Sequence, residues 1–74
     1  MKYLIIEIQT FKDGNVVTLV TQKDDLNEAM STYYSILAAA AISSLPVHAA
    51  TLLINDGRQL KFDEFEHKES EVEE

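Results

Sequence analysis

From Lys2 to Thr10 apolar and polar positions alternate, so that Leu4, Ile6 and Ile8 share one side while Tyr3, Ile5, Glu7, Gln9 and then Phe11 share the other. A period of two is the signature of a strand. Phe11–Asn15 offers a turn, because Gly14 takes positive φ at no steric cost. Val16–Gln22 (VVTLVTQ) alternates again and is rich in β-branched residues. The two runs predict a hairpin, with Val17, Leu19 and Thr21 expected beside Leu4, Ile6 and Ile8.

Between Asp25 and Pro46 the period changes. Leu26, Met30, Tyr33, Leu37 and Ala40 or Ala41 recur at three- and four-residue steps, and a second stripe of Ala29, Tyr34, Ala38, Ile42 and Leu45 runs beside it. That spacing belongs to an amphipathic helix. Asp25 is placed to cap it, with Glu28 three residues on completing a capping box. Pro46 cannot continue a helix and biases Leu45 away from helical angles, so the helix is expected to end by Ser44. After it, Val47–Ile54 (VHAATLLI) is apolar on both faces, the pattern of a central strand. Asn55–Arg58 contains Asp-Gly, which suits a type I′ turn. Gln59–Phe65 alternates with Lys61, Asp63 and Glu64 among its residues, charges that protect an edge strand.

The expected architecture is therefore α+β: a ββαββ order, a four-stranded antiparallel sheet in the order 2-1-3-4, and one helix on one face. One helix covers one face only. The other face is then expected to expose Tyr3, Ile5 and Phe11, with Val16 and Val20, and leaving such residues wet forfeits several kcal/mol at roughly 25 cal/mol per Å². A homodimer or higher oligomer is the expected remedy, through Tyr3, Ile5 and Phe11 or through the helix side bearing Ala38, Ala41 and Ile42.

Composition narrows this picture. The chain has 74 residues, enough for one small domain, and no cysteine, so disulfides and thiolate metal sites cannot serve as its staple. The net charge of -7 is unevenly placed: five basic residues stand against six acidic ones up to Phe62, while Lys68 stands against seven acids from Asp63 on. The expected organisation is one domain over residues 1–65 and an acidic disordered tail over 66–74. Without a basic stripe, duplex nucleic acid is not an expected partner. No run approaches the length of a membrane span and none reads as a signal peptide, which makes the expected location cytoplasmic and off the membrane.

No catalytic constellation emerges, and the expectation is a protein that is not an enzyme, with no cofactor and no metal site. His48 and His67 lack acids at ligand spacing. Ser43, Ser44 and His48 lie close together, but a serine–histidine pair needs a third, orienting group, and none is identifiable in the sequence. The residues best suited to an anionic ligand are Tyr34 for stacking, with His48, Arg58, Tyr3 and Lys61 to bind charge or hydrogen-bond acceptors.

The opening Glu7-Ile8-Gln9-Thr10, the run from Tyr33-Tyr34 through Ala38-Ala39-Ala40-Ala41 to Pro46-Val47-His48, and the ending Phe62–His67 resemble small, largely uncharacterised proteins carried by phages and prophages of Gram-positive bacteria. The resemblance covers about residues 1–67 and implies an accessory protein acting in a host cell; it brings no catalytic residue. Two functions follow as expectations. One is an oligomeric small-molecule binder that sequesters an anionic, nucleotide-like signal of host defence; the other is a protein-interaction module that uses its open sheet face, an edge strand or the acidic tail against a host protein.

Overall fold

In a computed structural model that describes residues 1–67, the alternating runs form β1 (Tyr3–Thr10), β2 (Val16–Lys23), β3 (Val47–Ile54) and β4 (Gln59–Glu66), with α1 (Leu26–Ala41) between the hairpins. All strand pairs are antiparallel and the sheet order is β2-β1-β3-β4, so the two strands with the least polar character lie in the middle. The fold is α+β in ββαββ order, as the periodicity predicts. β4 runs one residue beyond Phe65, and the His67 amide donates to the Pro46 carbonyl at 2.9 Å, so the folded unit reaches His67. The remaining seven residues of the expected acidic tail lie outside the described residues.

Both hairpins turn by the same device. Phe11 N–H donates to Asn15 O and Gly14 N–H to Phe11 O; Ile54 N–H donates to Arg58 O and Gly57 N–H to Ile54 O. Each is a three-residue loop in which only the last residue, Gly14 (φ 94°) or Gly57 (φ 97°), takes positive φ. This corrects the type I′ turn expected at Asp56-Gly57, because Asp56 keeps negative φ. Its carboxylate instead accepts from the Arg58 N–H at 2.9 Å, which fixes the loop from within and holds the Asp56 carboxyl below its ordinary range. Replacing Gly57 by Ala meets no neighbour within 4 Å, so the cost is backbone strain alone. A loss of about 1 kcal/mol is expected from urea denaturation of Gly57→Ala.

The helix begins as predicted: Asp25 Oδ2 accepts from Glu28 N–H at 3.0 Å. It ends at Ala41, three residues before Ser44. The Ile42 and Ser43 amides turn back to Ala39 and Ala40 at 3.3 Å, and the Ser43 hydroxyl is drawn off to other partners. The buried face draws on both apolar stripes: Ala29, Tyr33 and Ala40 are enclosed, with Met30, Ile36 and Leu37 packed alongside, whereas Leu26, Tyr34, Ala38, Ala41 and Ile42 face outward.

The two faces of β1 are the reverse of the expected ones, while Val16 and Val20 lie on the open face as expected. The three-residue loop pairs Thr10 with Val16, so even-numbered residues of β1 oppose even-numbered residues of β2, and Leu4, Ile6 and Ile8 share their side with Val16, Thr18 and Val20. Val17, Leu19 and Thr21 lie on the other side, with Tyr3 and Ile5. A one-residue change of register moves a whole strand face, and turn length decides it. The helix covers this second side. Ile5 and Leu52 are fully buried beneath it with Ala50, and Tyr3 packs against the same core. Ile5 and Tyr3 are thus committed to the protomer's own core, and the dimer surface drawn through Tyr3, Ile5 and Phe11 is not an open sheet face. The open face carries Leu4, Ile6, Ile8, Val16, Val20, Val47, Leu53 and Phe62.

Candidate functional site

The densest polar cluster lies where the end of α1 meets the start of β3. His48, the second residue of β3, is opposite Gln9 on β1 and Phe65 on β4, and its side chain points to the helix side of the sheet. It is 4% exposed. Its Nε2 is 2.6 Å from Glu7 Oε2 and its Nδ1 is 3.0 Å from Ser43 Oγ, while Gln9 Nε2–H donates to the same Glu7 oxygen at 2.9 Å. A carboxylate only accepts, so Nε2 carries the proton toward Glu7, and in the neutral ring Nδ1 accepts from the Ser43 hydroxyl. The Ser43 oxygen in turn accepts from the Leu45 N–H at 3.4 Å. Among the described residues no buried side-chain nitrogen or oxygen lacks a partner.

Serine, histidine and glutamate in sequence of contact have the composition of nucleophile, base and orienting acid. Glu7 supplies the third group that the sequence did not reveal. Two features make the trio a clamp. His48 is enclosed by the sheet and the helix end, and Ser43 Oγ also receives the Leu45 amide, so both groups are engaged in holding backbone segments together. The network ties β1 to the α1–β3 connection and the start of β3, with Glu7 and His48 41 residues apart in sequence. His67 adds a further tie. Its Nε2 is 2.9 Å from the Ala40 carbonyl, so Nε2–H donates to an oxygen that the Ser43 amide also reaches at the end of the helix, and its ring stacks on Phe65 at 6.5 Å. No sequence signal marks His67 for this, since its partner lies 27 residues away.

The residues expected to form one ligand pocket are dispersed within the protomer. His48 is in the clamp. Tyr3 is half-buried in the core at the other end of the sheet, and Arg58 is in the exposed β3–β4 turn, its Nη2 3.0 Å from Asp56 Oδ2. Six residues of strand separate His48 from Ile54, about 20 Å at about 3.3 Å per residue. Only two members come together: Lys61 Nζ lies 6.0 Å from the centroid of the outward-facing Tyr34 ring. Tyr34 meets Tyr33 edge to face at 5.3 Å, and the Tyr33 hydroxyl donates to Asp63 Oδ2 at 3.2 Å. Burial, reinforced by the Asp63 charge, pushes the Tyr33 hydroxyl up to about 12.

An open groove of about 500 Å³ runs between Phe11, Lys12 and Asp13 of the first turn and Ser44, Leu45 and Pro46 of the connection. Phe11 lines this groove, on the helix side of the sheet. Among the described residues no three His, Cys, Asp or Glu side chains gather to hold a metal ion, and no helix is long and apolar enough to cross a membrane.

Comparison with protein-family models, with curated proteins and with solved structures finds no match. The functional reading therefore rests on the geometry of this chain.

Proposed function

We propose that this chain is a binding module, not an enzyme, and that it self-associates through its open sheet face. One observation carries the reading: of the two faces of the sheet, the helix covers the one bearing Glu7, Gln9 and His48, and leaves uncovered the more apolar one. The polar groups under the helix satisfy one another, so that face can be closed with no buried group left unpaired. The open face has no such use for water, with Leu4, Ile6, Ile8, Val20, Leu53 and Phe62 spread over three of its strands and into the fourth. Eight residues at about 3.3 Å and four strands at about 4.8 Å give a face of roughly 26 by 19 Å. Two copies would bury on the order of 1,000 Å², the size at which specific interfaces begin. Glu64 and Glu66 on β4 form an acidic rim to that apolar centre, the usual anatomy of an interface.

Ile6→Asp tests this. Its side chain is on the open face and outside the core, so the variant is expected to fold and to associate more weakly than wild type, read by light scattering at micromolar to millimolar concentration. A wild-type chain that remains a monomer throughout that range overturns the reading.

A second reading concerns a small-molecule ligand and is favoured by Lys61 beside the exposed Tyr34 ring. A cation next to an aromatic face is the pairing that a planar, anionic, nucleotide-like molecule engages. In an accessory protein of the kind the sequence resembles, such binding would sequester a signal. A thermal-shift panel of mono-, di- and cyclic nucleotides checks it: a ligand at 100 times its dissociation constant stabilises by about 2.7 kcal/mol, and Tyr34→Ala should abolish the shift.

A further inference from the structure

β2 is the least protected part of the molecule. It is an edge strand, and apolar residues on both of its sides are exposed: Val16 57% and Val20 62% on the open face, Val17 41% and Leu19 49% on the helix side. From Val16 to Gln22 it carries no charge, no proline and no bulge, the devices by which sheet edges are blunted. The other edge, β4, has all but the proline: Lys61, Asp63, Glu64 and Glu66, and a register shift opposite Leu52 and Leu53.

The backbone of β2 is equally available. Phe11 N–H donates to Asn15 O, and in an antiparallel ladder bonded pairs alternate, so Val17, Leu19 and Thr21 point their amides and carbonyls inward to β1. Those of Val16, Thr18 and Val20 point outward. We propose that this edge pairs with β2 of a second copy, antiparallel about a two-fold axis at Thr18, to form a continuous eight-stranded sheet.

The occupant and register follow from self-complementarity. Centred on Thr18, the pairing sets Val16 opposite Val20 and Val17 opposite Leu19, with Thr18 opposite itself, all favourable cross-strand pairs. The same register brings Lys23 of each copy beside Asp13 in the first turn of the other, a charge match at both ends of the contact. Val16, Thr18 and Val20 supply about six backbone hydrogen bonds across the axis. By area alone such a contact is at the low end for specific complexes, below about 1,200 Å², so it is expected to form at tens to hundreds of micromolar. It leaves the open sheet face free. Used together, the two contacts would close four copies into two eight-stranded sheets packed face to face with the helices outside.

Amide hydrogen exchange by nuclear magnetic resonance tests the edge contact independently of the face contact. Packing two faces together leaves the strand edge in water; pairing two edges does not. The amides of Val16, Thr18 and Val20 are expected to slow at least about tenfold as concentration rises from micromolar to millimolar. In Val20→Pro, where the lost N–H points outward and no bond to β1 is removed, the remaining Val16 and Thr18 amides are expected to exchange fast at all concentrations. The double variant V17K/L19K, altered only on the helix side of β2, should do the same without a change of backbone. If Val16, Thr18 and Val20 exchange freely at millimolar concentration while Leu19 and Thr21 are protected, the edge contact is wrong. Ile6→Asp separates the two ideas: edge amides still protected in that variant support the edge contact even when the face contact fails, and protection lost in it but kept in V17K/L19K assigns the association to the face and overturns the edge contact.

Discussion

Tyr33→Ala is expected to leave the chain largely unfolded at room temperature. Among the described residues Tyr33 is the largest fully buried side chain, in a core it shares with Ile5, Ala29, Ala50 and Leu52. Truncating a buried aromatic costs about 3–5 kcal/mol, of the order of the whole stability of a domain this small. Two of its neighbours are alanines, which cannot swing in to fill the void. Far-ultraviolet circular dichroism under a urea gradient measures it, and a loss under 2 kcal/mol would mean that the core lies elsewhere. Tyr33→Phe keeps the ring and removes only the bond to Asp63, for an expected loss of about 0.5–1.5 kcal/mol, the worth of one such bond.

The same pair gives a pH signature. The Tyr33 hydroxyl rises from 10.0 to about 12, through burial first and the charge and hydrogen bond of Asp63 next. A raised value in the folded state favours the neutral phenol, so the contribution is complete below pH 10 and is lost as pH climbs from 10 through 12. Wild-type stability should therefore fall more steeply than that of Tyr33→Phe across that window. Parallel curves would contradict the burial of a neutral hydroxyl.

His48→Ala is the second large effect, with an expected loss of about 2–4 kcal/mol. The substitution strands the largely buried Glu7 carboxylate with Gln9 as its remaining hydrogen-bond partner from the clamp, and frees the Ser43 hydroxyl that holds the α1–β3 connection. Glu7→Gln is the gentler companion. The amide oxygen can still accept from His48 Nε2–H at the same place, so the expected loss is under about 1.5 kcal/mol. Were both variants as stable as wild type, the network would not be the clamp described and its serine–histidine–glutamate composition would call for a test of acyl transfer.

A clamp of this kind also explains why the less apolar face is the covered one. Glu7, Gln9 and His48 are costly neighbours for a helix unless they bond to one another, and here they do so at the one place where the helix ends and the chain turns back. Small residues complete the fit: Ala29 and Ala40 on the helix and Ala50 on β3 let the two layers approach. The apolar face and the bare β2 edge are then what remain for other copies of the chain.

Several of these features were legible beforehand and several were not. Alternation in Lys2–Thr10, Val16–Gln22 and Gln59–Phe65 and the three-to-four spacing after Asp25 located every element, because period is a property of a few neighbouring residues. The two-sided apolarity of Val47–Ile54 placed β3 in the interior of the sheet for the same reason. The helix ends before Ser44, as Pro46 requires, but its last residue, Ala41, could not be read from the local pattern. The proposed pocket residues Tyr34, His48, Arg58, Tyr3 and Lys61 each had suitable chemistry, yet only Tyr34 and Lys61 meet. Chemistry can be read one residue at a time; proximity cannot.

By itself, then, the amino-acid order determined the five elements, their sequence along the chain and the antiparallel order of the sheet. Only the tertiary structure decided which side of the sheet the helix covers, that Glu7 and Ser43 are the partners of His48, and that His67 closes the end of the helix. The physical reason is that β1 is apolar on both sides, so local pattern leaves two nearly equivalent choices. A three-residue loop and a buried polar network, each a matter of contacts between distant segments, select one.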